Sequence, residues 1–404
     1  MSRLFLVLAT LWVAGPASAQ TTELFADVMA SWPDLEAAVV EARHDIHQHP
    51  ELSAQEYRTA EKVAEWLERY GWEVRRGIAE TGVVGVLNGG LPGPLVAFRA
   101  DMDAVESTAP DPVPYASLTP GIRHICGHDV HTAVGLGLAA VLAEARDRLP
   151  GAVMLIFQPA EERADGASRM LEDGLFEEHL PEAVFALHTA PYSVGHVATM
   201  PGGMMVSRSW VHVDITGSGD LDGAAAAARS RVMAESTVAP MAASFPSPPD
   251  AVLVQLAPTR GSGDSRTIRG QLMTGSPVIL DRLARTFAAM GDSLSSADVR
   301  VEARLIPAAI PGVQNDATLV EQSNASLARL TPDVTVHGIE SVVPAFSEDF
   351  GHFQRHTPGV MYFLGVGRQG LPHSAGYVAD DAAIGVGVRA MTAVMLDRLS
   401  VQDG

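Results

Sequence analysis

Residues 131–162 read HTAVGLGLAAVLAEARDRLPGAVMLIFQPAEE, and this stretch decides the fold. Its first half repeats apolar residues at helical spacing as far as Asp147. After a turn at Leu149-Pro150, GAVMLIFQ is apolar almost without interruption, the pattern of a strand buried on both faces. Two carboxylates, Glu161 and Glu162, follow directly.

Working outward, the same alternation recurs. GVVGVLN (82–88) and PLVAFRA (94–100) predict strands joined by the turn-rich GGLPGP, and AVFALHT (183–189) predicts another. Near the end, GVMYFLGVG (359–367) is a strand followed by a long helix over 382–399. Residues 34–70 predict a helix, stopped by Gly71. Apolar strands alternating with helices imply an α/β fold, with a mostly parallel sheet covered by helices on both faces.

The texture changes over 201–311. SWVHVDITG alternates like a half-exposed antiparallel strand, and DGAAAAARSRVMAES is an alanine-rich helix. AVLVQLAP and SRTIRGQLMT look like strands, and SPVILDRLARTFAAMGDSL looks like a second helix. This segment predicts an inserted, smaller α+β satellite domain. The α/β domain is then split into 21–200 and 312–404.

Residues 1–19 carry Arg3, a short apolar run and an Ala17-Ser18-Ala19 cleavage pattern, and so predict a signal peptide. The apolar run is too short to span a bilayer comfortably, so an uncleaved anchor is the lesser reading. The expected mature protein is exported, periplasmic or secreted, with no membrane in its mature form. The 48 acidic residues outnumber the 28 basic ones, a formal net charge of -20 that argues against nucleic acid as a partner.

Export bears on the only cysteine, Cys126 in RHICGHDVH (123–131). A lone cysteine makes no intramolecular disulfide. It is buried and inert, reactive, or a metal ligand. Its neighbours favour the last. Asp101 and Asp103, Glu161 and Glu162, His188 and His373 all lie at the ends of predicted strands or just after them, and ligands of open α/β sheets bind at the carboxyl ends of strands. Singly, each has a bland reading as a surface or hydrogen-bonded residue. Cys126, His128, Glu162, His188 and His373 together contain only metal-competent donors. Five donors exceed a closed tetrahedral site and suit two ions sharing a bridging ligand, a role open to a thiolate. Such a pair activates water and polarises a carbonyl. A carboxylate beside a ligand carboxylate supplies the base, and Glu161-Glu162 offers both.

The motifs HQHPELSAQEYRTAEKVAEWLERYG, ETGVVGV, VAFRADMDAVE, HICGHDVHTAVGLGLA, IFQPAEERADGASRMLEDG, ALHTAP, PAFSEDFGHF and PHSAGYVADDAA occur in that order. They resemble the amidohydrolase branch of the zinc metallopeptidases related to carboxypeptidase G, which includes hippurate, N-acyl-amino-acid and auxin-conjugate hydrolases. The resemblance implies a two-domain fold, a binuclear metal site and hydrolysis of an amide joining an acyl group to an amino acid or small peptide. It implies that Cys126 bridges the metals, that His128 and His188 complete one site, and that Glu162 and His373 complete the other. Glu161 matches the catalytic base, and Asp103 matches an acidic residue that orients a ligand. His124, Asp129 and His131 read as supports, Asp129 as a cap of the following helix. The donors suit zinc best, with manganese, cobalt and nickel as alternatives.

The satellite departs from the family pattern. Where relatives carry a glycine-rich turn and a histidine, this chain reads GSGDLDGAAAAARSR, and TRGSGDSRTIRG replaces a segment of NVIPD type. These elements help hold the substrate carboxylate and oxyanion, often across a dimer. The trimmed satellite therefore weakens the expectation of a homodimer. It leaves Arg208, Arg266 or Arg269 as candidate substitutes. The rival to an enzyme is a metal-binding degenerate relative that has lost its substrate-positioning groups. The intact donor set with Glu161 argues against it, and against a mere metal store.

Overall fold

The structure, a computed structural model, describes residues 16–400. The expected signal segment lies outside them except for Pro16–Ala19. Helices α1 (Pro16–Met29), α2 (Trp32–Gln48) and α3 (Tyr57–Arg69) lead into strands β1 (Glu73–Ile78), β2 (Gly82–Asn88) and β3 (Leu91–Asp101). Then come α4 (His128–Glu144), β4 (Pro150–Gln158), α5 (Gly166–Glu172), β5 (Ala183–Ala190) and β6 (His196–Thr199). A separate module holds β7 (Ser207–Gly217), α6 (Leu221–Met233), β8 (Leu253–Leu256), β9 (Ser265–Thr274), α7 (Pro277–Leu294) and β10 (Val299–Ile310). The chain closes with α8 (Ala317–Leu330), β11 (Thr335–Gly338), β12 (Gly359–Gly365) and α9 (Ala382–Leu399).

The main sheet has the order β1-β2-β4-β3-β5-β12-β6-β11. Its centre, β4-β3-β5-β12, is parallel throughout; β1 and β2 run antiparallel to their neighbours at one edge, while at the other β6 pairs antiparallel with β12 and parallel with β11. Every residue of β5 is buried, as a central strand covered on both faces requires. Phe98, Phe157 and Phe185 stand fully buried on β3, β4 and β5. Each such side chain contributes about 1.5–3 kcal/mol by leaving water. One face carries α2, α4 and α9, the other α5 and the short 3-10 helix Asp349–Arg355.

The second sheet, β8-β9-β7-β10, is antiparallel throughout and packs on α6 and α7 around its own core of Val211, Val213, Ile215, Ile268 and Phe287. Strand β7 alternates buried and less buried positions, as SWVHVDITG predicts. Helix α8 and strand β10 were not among the sequence expectations. VRVEARLI within β10 carries the same alternation and would have revealed the strand.

The predicted helix over 34–70 is two helices. Pro50 has no N–H to continue α2 and forces His49 out of helical geometry (φ -122°). Glu51 then accepts hydrogen bonds from the backbone N–H groups of Arg58 and Thr59, which start α3 afresh. Gly71 does follow α3 in the left-handed region (φ 76°), as a stop signal should.

Candidate metal centre

The four parallel central strands end on one side of the sheet, and the candidate residues gather there. Asp101 closes β3, with Asp103 two residues on, and Glu161 and Glu162 follow β4. His188 lies near the end of β5, and His373 sits in the loop after β12. Cys126 and His128 flank Gly127 at the start of α4. Gly127 adopts φ 96°, and a Cβ there would strike the Tyr377 hydroxyl and Thr189. Only glycine permits this turn, which carries the thiol and the imidazole into the same space.

Two overlapping triplets result. Donor atoms of Cys126, His128 and His188 lie within 4.8 Å of one another, as do those of Cys126, Glu162 and His373. Cys126 is common to both. All five sequence-predicted donors are therefore brought together, four of them in or next to a buried floor and His373 at the half-exposed rim. His373 reaches Glu162 Oε1 at 3.1 Å from a left-handed backbone (φ 63°).

The imidazoles are oriented from behind. His188 Nδ1 donates to the Thr189 carbonyl at 2.9 Å, which turns its Nε2 lone pair toward Cys126 Sγ at 3.5 Å. Burial, then the nearby His131, lowers His188 to about 3, so the ring is neutral. His128 Nδ1 is held by Asp103 at 3.1 Å, and its buried Nε2 has no hydrogen-bond partner. Around that nitrogen stand Asp101, Glu161 and Glu162 oxygens at 3.8, 3.8 and 3.9 Å. An orphan lone pair facing carboxylates beyond hydrogen-bond reach leaves a gap that suits a cation. The donor set and its geometry fit divalent metal.

Asp103 is a hub. Its carboxylate accepts from Ser53 Oγ (2.6 Å), His128, and the backbone N–H groups of Glu161 (3.2 Å) and Glu162 (3.0 Å). Ala160, at φ 54°, makes the turn that presents the two glutamates, and its N–H is held by Glu56 at 2.8 Å.

Glu161 is buried, and this burial, reinforced by the charges of Glu348, Glu162 and Asp349, raises it well above the usual carboxylate range. Glu348 and Asp349 come from the PAFSEDFGHF motif, to which sequence reading assigned no role. They bind Arg99 at 2.8 and 3.0 Å, and Arg99 also holds Asp101 (2.6 Å) and Gln158 (2.8 Å). Beneath the donors therefore lies a fully buried guanidinium ringed by carboxylates.

The supports behave differently from one another. His131 spends both nitrogens, Nδ1 on Asp101 (2.6 Å) and Nε2 on the Thr189 N–H (2.8 Å). His124 is buried with neither nitrogen bonded, and burial lowers it to about 3. Asp129 does not cap α4. The N-cap is Gly127, without a side-chain cap, and Asp129 instead binds Arg43 Nε at 2.7 Å and His47 Nδ1 at 2.8 Å. The buried cation outcompetes a backbone N–H because a charged pair in a dry interior is the stronger contact.

In the satellite, Arg266 pairs with Asp222, and Arg269 pairs with Asp214 and the Val213 carbonyl. Arg208 has neither kind of partner.

Comparison with known proteins agrees with this geometry. Residues 97–397 match the model of Peptidase family M20/M25/M40. The chain is 32% identical over 367 residues to N-acetylcysteine deacetylase of Bacillus subtilis, covering 86% of this chain and 93% of that protein. It is 29% identical to N-acetyldiaminopimelate deacetylase of Bacillus cytotoxicus, over 85% of this chain and 94% of that one. Among solved structures, a dinuclear metal binding peptidase of the M20 family from Bacillus subtilis superposes with a TM-score of 0.77 at 27% identity, covering 90% of this chain and 98% of that one. By sequence and fold together, this chain belongs to peptidase family M20/M25/M40.

Proposed function

We propose that the protein is a metal-dependent hydrolase that cleaves the amide bond of N-acyl amino acids, with Glu161 as its general base. The observation that carries this reading is the pair of donor triplets sharing Cys126, with the buried Glu161 carboxylate beside them. Relatives named as deacetylases of N-acetylated amino acids support the substrate class.

Cys126, His128 and His188 would hold one ion, and Cys126, Glu162 and His373 the other. When bound, the ions supply polarisation of the scissile carbonyl and acidification of the attacking water. Glu161 takes a proton from that water as its oxygen bonds to the carbonyl carbon. It returns the proton to the amide nitrogen as the C–N bond breaks, releasing the acyl group as a carboxylic acid and the amino acid as an amine. Asp103 fixes the His128 ring and the backbone that carries both glutamates.

Thiolate, imidazole and carboxylate donors favour zinc. The leader pattern in residues 1–19 favours export. Among the described residues no helix is long and apolar enough to cross a membrane. Metal analysis of the purified protein, with a hydrolysis screen over acetyl-, benzoyl- and aminoacyl-amino acids, tests the reading. Two ions per chain and turnover on this panel are expected. Metal without turnover on any member overturns the enzyme and favours a metal-binding degenerate relative.

A further inference from the structure

A base that must accept a proton from water cannot already be locked in an ion pair, and a buried guanidinium lies close to Glu161. Arg99 is fully buried, and its five N–H groups make five hydrogen bonds. Its Nε donates to Gln158 at 2.8 Å. Nη1 donates to Asp101 at 2.6 Å and to Glu348 at 3.3 Å. Nη2 donates to Glu348 at 2.8 Å and to Asp349 at 3.0 Å. No donor of Arg99 is left over.

Glu161 stands at the edge of this cluster. It places a carboxylate oxygen within 4.8 Å of oxygens of both Glu348 and Asp349, and another such group joins it to His128 and Glu162. Among the described residues its carboxylate accepts no hydrogen bond, and it meets His128 Nε2 only at 3.8 Å. A buried carboxylate without a partner would close on a free guanidinium, because a charge-assisted pair in a dry interior is a strong contact. Here every N–H it could take is already occupied.

The two acids that occupy Arg99 are themselves fixed from behind. Glu348 also accepts from the Phe350 N–H at 2.9 Å, as the cap of the short 3-10 helix. Asp349 also accepts from Gln158 Nε2 at 2.7 Å and from the Ala167 N–H at 3.0 Å. These bonds hold both carboxylates against Arg99, and their charges repel that of Glu161 from it.

We infer that Glu348 and Asp349 are positioning residues: by saturating Arg99 they keep the Glu161 carboxylate unpaired and on the side of the metal donors. The inference rests on Glu161 being the base. Glu348→Gln turns one acceptor oxygen into an N–H₂ donor, leaves an Arg99 N–H without a partner and lets it capture Glu161.

The experiment measures kcat, KM and metal content for Glu348→Gln and Glu348→Asp on N-acetyl-L-methionine, with Asp349→Asn as a second variant. Glu348→Gln is also built into Arg99→Met, and crystal structures of metal-loaded wild type and Glu348→Gln are compared. In Glu348→Gln kcat is expected to fall about 10–100-fold, as a new charged hydrogen bond to Arg99 implies, with KM and two-ion occupancy unchanged. Glu348→Asp recovers part of the loss, and the crystal structure shows Glu161 hydrogen-bonded to Arg99. In Arg99→Met, where no guanidinium remains to capture the base, Glu348→Gln costs nothing further, a coupling that a merely structural role would not produce. Wild-type kcat in both Glu348→Gln and Asp349→Asn, the same fall in the Arg99→Met background, or Glu161 unmoved in the crystal overturns the inference and leaves the base in place. Full turnover in Glu161→Gln, or none in wild type, sinks the base itself and the inference with it.

Discussion

His128 Nδ1 and Asp103 Oδ1 stand 3.1 Å apart with both side chains fully buried. The contact fixes the ring so that its unpartnered Nε2 faces the gap between the donors. Asp103→Asn replaces an acceptor with a donor on one side of this hub. Metal affinity should fall about 10–100-fold, as for other groups that orient a ligand from behind. Competition against a chelating dye measures this, and wild-type affinity would remove Asp103 from its assigned role.

Cys126 belongs to both donor triplets, so its loss should affect both ions rather than one. Cys126→Ser is expected to purify with fewer than two ions per chain by elemental analysis and to retain its fold by circular dichroism. Dialysis of the wild type against a chelator should abolish turnover, and added divalent metal should restore it. Full occupancy in Cys126→Ser would rule out a bridging thiolate.

Arg99 is fully buried against three carboxylates. Arg99→Met removes the cation and leaves Asp101, Glu348 and Asp349 uncompensated. Breaking a buried ion network in this way costs about 3–5 kcal/mol. Urea unfolding should show the loss as a lower midpoint at unchanged slope. A loss under about 1 kcal/mol would mean that the carboxylates simply take up protons.

Acid should destabilise the fold through Asp45. Burial works against its charge, but hydrogen bonds from Arg58 and Lys62 outweigh burial and lower it below the ordinary carboxylate value. A depressed folded pKa means that the stabilisation is fully present above the unfolded value, about 3.9. It is lost as pH falls through the folded value. Urea midpoints between pH 7 and pH 3 should drop less steeply in Asp45→Asn than in wild type. Parallel slopes would exclude the contribution.

Much of the centre was legible because one topological rule did the placing. Asp103, Glu161 and His188 each sit at or just after an apolar strand, and four parallel neighbours bring such ends together. What sequence could not show is pairing across distance. Arg99 and Glu348 are 249 residues apart, and nothing local to either marks the partner. Asp129 carries the local signature of a cap, yet Arg43 from another helix claims it. Pro50 is the local signal for the break between α2 and α3, since a proline disfavours helical geometry in the residue before it.

In the proposed mechanism Glu161 moves the proton while its neighbours hold the metal. Glu161→Gln keeps the shape of the side chain and removes its basicity. Two ions per chain by elemental analysis, as in wild type, are expected, with kcat lowered about 10²–10⁴-fold on the best acyl amino acid. Wild-type turnover with both ions in place would contradict it.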